Sequence, residues 1–253
     1  MTNNATAKKV ALVTGGVGGI GSAICRELAL KGQQVVAGYH PAEEQNAQAK
    51  LKEWKQEGLA IDIASSDVAN FASCAQSAKD ITAKYGKVDI LVNCAGITRD
   101  KTLRKMTEDD WQAVLDVDLN SLFNVTKQYI DGMTDRGYGR IVNISSVNGK
   151  KGQFGQTNYS AAKAGVHGFT MALAQEVARK GITVNSVSPG YVETPMTKAI
   201  PAEISAAIVA QIPLNRMAQP EEVAYVVSFL CDERAAYVTG TNISVNGGLF
   251  ISF

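Results

Sequence analysis

Tyr159 and Lys163 stand four residues apart in the string NYSAAKAG, with Ser146 thirteen residues before the tyrosine. On a helix, positions i and i+4 share a face, so the phenol and the ammonium can point into one cleft. A phenol with a reference pKa of about 10 carries protons poorly at neutral pH until a cation stabilises its anion, and Lys163 can supply that cation. Alone, such a pair is a common helix-surface arrangement. Combined with a strand that runs into a glycine-rich turn, it points to an enzyme.

Elements able to hold these residues alternate along the chain. The strand-like runs VALVTG, QVVAGY, LAIDIAS, VDILVNCAG, GRIVNISS, ITVNSVSPG and GTNISVNGG are separated by helix-like segments. Those helices are expected at about Gly21 to Lys31, Ala47 to Glu57, Phe71 to Tyr85, Glu108 to Gly132, Tyr159 to Lys180 and Pro220 to Cys231. The alternation predicts an α/β chain: a single doubly wound, parallel-sheet (Rossmann-type) domain over 1–253 with helices on both faces. Between 194 and 212 the signals loosen. Pro195 and Pro201 precede a short amphipathic helix around Glu203 to Gln211, which reads either as a small lid over a substrate or as an ordinary surface helix.

Composition excludes several classes. The chain has 253 residues, is 45% hydrophobic and carries a formal net charge of +1, so a basic footprint for nucleic acid is absent. Its polar start, MTNNATAKK, and the brief apolar run after it fit neither a signal sequence nor a membrane span, and a cytoplasmic location is expected. Four scattered cysteines and two histidines support neither a disulfide framework nor a metal site.

The segment Thr14-Gly15-Gly16-Val17-Gly18-Gly19-Ile20-Gly21 follows a predicted strand and opens a predicted helix. Lacking side chains, Gly15, Gly19 and Gly21 let the backbone turn sharply and approach a pyrophosphate seated on the positive end of the helix. A dinucleotide site follows. Its preference is less plain, because the second strand ends Ala37-Gly38-Tyr39-His40, without the acid that holds ribose hydroxyls in an NAD site. Tyr39 and His40 can donate to a 2′-phosphate, whereas Glu43 and Glu44 can repel it, so NADPH is expected and NADH is a live alternative.

TGGVGGIG, NCAG at Asn93 to Gly96, ISS ending at Ser146, Tyr159-x-x-x-Lys163 and Pro189-Gly190 with Thr194 together resemble the short-chain dehydrogenase/reductase family. Within it, the strings ITRD, SLFNVTKQ, GRIVNISSVNG, GQFGQTNYSAAKAG and SPGYV are similar to the acetoacetyl-CoA reductases of polyhydroxyalkanoate (polyhydroxybutyrate) biosynthesis, and next to the 3-oxoacyl-(acyl-carrier-protein) reductases. The resemblance implies that Tyr159 is the general acid in carbonyl reduction, that Ser146 holds the carbonyl oxygen, and that Lys163 binds the nicotinamide ribose and depresses the Tyr159 pKa. It further implies that Asp67 and Val68 meet the adenine, that Ile20, Asn93, Ala95 and Gly96 line the cofactor cleft, and that Pro189, Gly190, Val192 and Thr194 border the carboxamide.

Two departures stand out. Cys94 replaces a polar residue of the family motif and reads as a buried thiol. Asp118, in VLDVDLNSLF, falls where the resemblance implies a catalytic asparagine that helps supply protons through the lysine. If ionised, Asp118 accepts hydrogen bonds but cannot donate them.

At the substrate end, Gln153, Phe154, Gln156 and Tyr191 are expected to border an acyl pocket, with Asp100 either joining them or standing as a solvated loop acid. Lys101, Arg104 and Lys105 form a basic run that suits coenzyme A phosphates or an acidic carrier, or only a wet surface. The expected substrate is an acyl-CoA thioester. A carrier-protein reductase is the enzyme alternative, and a nucleotide-binding regulator that kept the fold is the non-enzyme one. Ala161, Ala162, Ala164, Gly165 and Gly168 make the Tyr159 helix small-sided, and the resemblance implies a homo-oligomer, a tetramer.

Overall fold

Every residue of β1 (Val10–Val13) is buried, as a strand covered on both faces and paired on both edges requires. The computed structural model describes residues 8–198 and 201–251. From β1 the chain runs through α1 (Gly19–Leu30), β2 (Gln34–Tyr39), α2 (Glu44–Gln56), β3 (Ile61–Ser65), α3 (Phe71–Tyr85) and β4 (Ile90–Asn93). It continues through α4 (Glu108–Leu115), α5 (Ser121–Thr126), α6 (Ile130–Arg136), β5 (Gly139–Ile144), α7 (Asn148–Lys151), α8 (Thr157–Val177) and β6 (Ile182–Pro189). Last come α9 (Pro195–Lys198), α10 (Ala202–Val209), α11 (Pro220–Cys231) and β7 (Asn242–Val245).

The strands form one parallel sheet in the order β3-β2-β1-β4-β5-β6-β7. Strand order reverses between β1 and β4, so the chain leaves the sheet in opposite directions there and opens a crevice at the carboxyl ends of the strands. On one face Ile24, Leu28, Val223, Val227 and Leu230 of α1 and α11 meet Ala11, Val13 and Val142. On the other, Ile81, Val125, Ala174 and Val177 of α3, α5 and α8 meet Leu12, Leu91 and Val184. Alternate residues of each central strand thus feed two separate cores.

Caps set the helix starts. Asn70 accepts from the Ser73 amide to open α3, and Thr107 with Asp110 forms a reciprocal capping box on α4. The helix expected from Ala47 starts earlier, at Glu44, because a short turn over Pro41–Glu43, capped by the His40 ring, winds straight into it. The single helix expected from Glu108 to Gly132 is instead divided. A π-helical turn, Asp116–Asn120, separates α4 from α5, and a turn at 127–129 precedes α6. Such widened turns re-aim a side chain without ending the helix; here the one re-aimed is Asp118. None of the described helices is long and apolar enough to cross a membrane.

Candidate active site

A cleft of about 780 Å³ lies over the crevice, lined at one end by the glycine turn and at the other by Ser146, Tyr159 and Lys163. Two glycines of the turn are irreplaceable on geometry. Gly15 has φ of +61°, and a Cβ on it would stand 2.9 Å from the Ala95 Cα. A Cβ on Gly21 would stand 2.1 Å from the Gly15 carbonyl oxygen. The backbone there is thus packed on itself, leaving the N-terminus of α1 open to the cleft as a positive end for phosphate. This cradle fits a dinucleotide pyrophosphate. Thr14 completes it: its hydroxyl accepts the amides of Cys94 and Ala95 at 3.0 and 3.1 Å, tying the end of β4 to the end of β1.

The end of the cleft that holds Ser146, Tyr159 and Lys163 is positioned by β5 and α8. Ser145 donates to the Lys163 carbonyl oxygen at 2.7 Å, holding the helix against the strand, and Asn158, fully buried, donates to the carbonyls of Arg99 and Asp110. Ser146 Oγ accepts the Asn148 amide at 3.1 Å, which leaves its own proton free to donate into the cleft. Lys163 is 4% exposed; its Nζ donates to the Ile144 carbonyl at 3.1 Å and lies 5.6 Å from the centre of the Tyr159 ring. Asp118, on the π-helical turn, accepts the Ile97 amide at 2.8 Å and stands 3.2 Å from Lys163 Nζ.

The electrostatics follow from this burial. Tyr159 is pushed above the ordinary phenol value, first by burial, with Lys163 pulling it down and Asp118 pushing it up. Burial lowers Lys163, but Asp118 and Tyr159 outweigh it and hold the ammonium above its usual value. For Asp118, burial raises the carboxyl, opposed by Lys163 and the Ile97 amide. Cys94, at the edge of the same cleft, is pushed up to about 11 by burial, so it is a neutral thiol over ordinary pH.

Of the residues singled out in the sequence, Gly15, Gly19, Ile20, Gly21, Tyr39, His40, Asp67, Val68, Ala95, Gly96, Pro189, Gly190 and Thr194 line this cleft with Ser146, Tyr159 and Lys163. Asn93 does not. It is buried and donates to Asn143 at 2.8 Å and to Thr126, a bond set that ties β4 to β5. Val192 is buried and bridges to Ala218. Tyr39 donates its hydroxyl to Glu44 at 2.6 Å, so it is already engaged, and the His40 Nδ1 accepts the Ala42 amide.

The substrate set divides. Gln156 donates to Asp100 at 2.8 Å and accepts from Asn148 at 2.9 Å, and Asp100 lies near enough to push up both Tyr159 and Tyr191. Phe154, by contrast, is 86% exposed and Gln153 accepts from Lys151. Two residues escaped sequence reasoning. Asn148 links Ser146 to Gln156 and keeps a buried, unpartnered Oδ1; its place two residues after the serine was the available signal. Lys50, on α2, lines the cleft near Glu43 and Asn46, where a period of four from Asn46 puts both on one helix face.

Comparison with known proteins extends these observations over the whole chain. A family model described as enoyl-(acyl carrier protein) reductase matches residues 15–250. The acetoacetyl-CoA reductase of Allochromatium vinosum is 57% identical over 247 residues, 96% of this chain and 99% of that protein. The acetoacetyl-CoA reductase of Cupriavidus necator is 56% identical over 246 residues, 96% of this chain and 98% of its own. The crystal structure of gox2181 superposes with a TM-score of 0.91 at 34% identity, covering 96% of this chain and 95% of that one. With the glycine cradle, the serine and the Tyr159-Lys163 pair all on one cleft of a seven-stranded parallel sheet, this chain belongs to the short-chain dehydrogenase/reductase family.

Proposed function

We propose that the protein reduces a short-chain 3-oxoacyl thioester, acetoacetyl-CoA, to the 3-hydroxyacyl thioester, with NADPH as hydride donor. The observation that carries this is the Ser146 hydroxyl, freed to donate by the Asn148 amide and facing the cleft that Tyr159 and Lys163 also line. A reduced nicotinamide in the cleft supplies hydride to the carbonyl carbon. Ser146 holds the carbonyl oxygen as it gains charge, Tyr159 gives it a proton, and Lys163 carries the positive charge that steadies the resulting phenolate. Ser146→Ala is expected to lower kcat by about 10²- to 10³-fold while the cofactor Kd stays near the parental value, measured by steady-state kinetics and fluorescence titration.

Coenzyme A is favoured over a carrier protein because both relatives described above are named for the coenzyme A substrate. Lys101, Arg104 and Lys105 suit its phosphates, although Lys101 is paired with Asp110 at 2.7 Å. The exposed α10, with Ile204 54% exposed, and the adjoining Thr194 and Pro195 of the cleft wall support a lid over 194–212; Ala199 and Ile200 within it lie outside the described residues. Exposed Met171 on α8, the helix that carries the small residues, and exposed Phe123 on α5, stacked on Phe71, support assembly into a tetramer. The free Cys25, Cys74, Cys94 and Cys231 fit a reducing, cytoplasmic compartment.

NADPH is supported by the lack of an acid at the end of β2 and by Lys50 and His40 on the cleft wall. A second reading, NADH, is favoured by one observation: the Tyr39 hydroxyl is donated to Glu44, which removes a donor and sets a carboxylate beside the expected 2′-phosphate. Glu44→Gln is accordingly expected to raise the NADPH-to-NADH ratio of kcat/KM by about tenfold through lost like-charge repulsion. An unchanged ratio in side-by-side assays refutes a role for Glu44 in the choice.

A further inference from the structure

Where an asparagine is implied, this chain places a carboxyl group, and the fold gives it an ion-pair partner. Asp118 is 2% exposed. Its Oδ1 accepts the Ile97 amide, while its Oδ2 stands 3.2 Å from the Lys163 ammonium with no hydrogen-bond donor aligned on it. Gly96 closes one side of the pair: a Cβ there would lie 3.0 Å from Oδ2 and 3.3 Å from Nζ. Burial pushes the Asp118 carboxyl above its ordinary value, while the Ile97 amide donor and the Lys163 ammonium oppose that by favouring the anion, and removing either charge from such a buried pair leaves the other uncompensated.

We propose that Asp118 is the buried counter-ion of Lys163, and that this pairing withholds from Tyr159 part of the positive charge the lysine would otherwise give it, so that the Tyr159 hydroxyl holds its proton to higher pH. Asp118 acts through Lys163 and is a positioning residue. The proposal rests on the carbonyl-reduction reading above. Besides burial, the groups that face Tyr159 are Lys163 on its own helix, Ser146 after β5, Asp118 on the π-helical turn and Asp100 on the loop after β4. Cys94, at the end of β4 beside Lys163, stays a neutral thiol. Lys163 and Ser146 favour the phenolate; the two aspartates oppose it.

Both directions of the reaction pass through the Tyr159 proton. In reduction, hydride adds to the carbonyl carbon, the C=O π pair moves to the oxygen, and the Tyr159 O–H bond breaks to give that oxygen its proton. Oxidation of the alcohol runs the same atoms backwards and needs Tyr159 already ionised. A carboxylate beside Lys163 therefore keeps the acid form of Tyr159 to higher pH.

The test is a tyrosinate absorbance titration of the cofactor-free protein and of Asp118→Asn, each referred to its own Tyr159→Phe partner so that Tyr159 alone is read. The expected result is that Asp118→Asn lowers the Tyr159 midpoint by about one pH unit, the scale on which one nearby charge moves a titration. The alkaline limb of thioester reduction should move down with it. An unmoved midpoint overturns the proposal whatever the substrate proves to be. A moved midpoint in a protein that reduces no thioester supports the pairing and defeats the substrate reading alone. Should circular dichroism show Asp118→Asn unfolded, Asp118→Ser takes its place in the same paired titration: a lowered Tyr159 midpoint agrees with the proposal, and an unmoved one overturns it.

Discussion

Tyr159→Phe is expected to lower kcat for 3-oxoacyl thioester reduction by about 10³-fold, the scale on which a positioned general acid acts. The ring remains to fill its place beside Lys163, 5.6 Å from the ammonium, and Ser146 remains free to hold the carbonyl oxygen. Cofactor binding is therefore retained, and the KM for the thioester stays near the parental value. Loss of turnover with intact binding is the pattern of an interaction made only as the proton moves. Steady-state kinetics with cofactor titration by fluorescence separates the two quantities, and a variant that keeps a tenth or more of parental kcat would assign the proton to another group.

Gly21→Ala is the second large effect, and it falls on binding. The added Cβ would stand 2.1 Å from the Gly15 carbonyl oxygen and 3.0 Å from the Gly16 Cα, so the turn and the start of α1 must separate. Displacing a phosphate cradle by about 1 Å is expected to weaken cofactor binding by at least about 100-fold. Gly168→Ala is the control, because nothing lies within 4 Å of a Cβ there, and it should bind cofactor as the parent does. Equal cofactor Kd values for the two variants would contradict the part assigned to the turn.

The β/α alternation was legible in the sequence because each strand is buried on both faces and so reads as an unbroken apolar run, as in VALV and QVVAGY. Gly15 and Gly21 were legible for a related reason: only backbone-on-backbone packing requires residues without a Cβ at those positions. The break in the long fourth helix was not. Nothing in LDVDLNSLF marks a π-helical turn, since its residues suit an α-helix equally well and the widening is fixed by the tertiary bonds of Asp118 to Ile97 and Lys163.

The same limit governs the site's edges. Asn93 sits at a motif position, yet its amide is spent joining β4 to β5, a partner choice that depends on strand register. Tyr39 was read as a free donor, whereas the turn at Pro41–Glu43 brings Glu44 back onto its hydroxyl. Phe154 was assigned to an acyl wall from its place between Ser146 and Tyr159; it is 86% exposed, in a loop whose path sequence periodicity does not describe. Side chains placed by helix or strand periodicity were readable, and those placed by a turn, a loop or a distant partner were not.

On the proposed reading, the cleft formed by Ser146, Tyr159 and Lys163 reduces a 3-oxoacyl thioester with a nicotinamide cofactor. Incubating the purified protein with acetoacetyl-CoA and either NADPH or NADH, and following cofactor oxidation together with the thioester product, tests it most directly. Cofactor is expected to be oxidised in one-to-one step with appearance of 3-hydroxybutyryl-CoA, faster with NADPH. Tight cofactor binding with no oxidation in the presence of acetoacetyl-CoA or other 3-oxoacyl thioesters would contradict it.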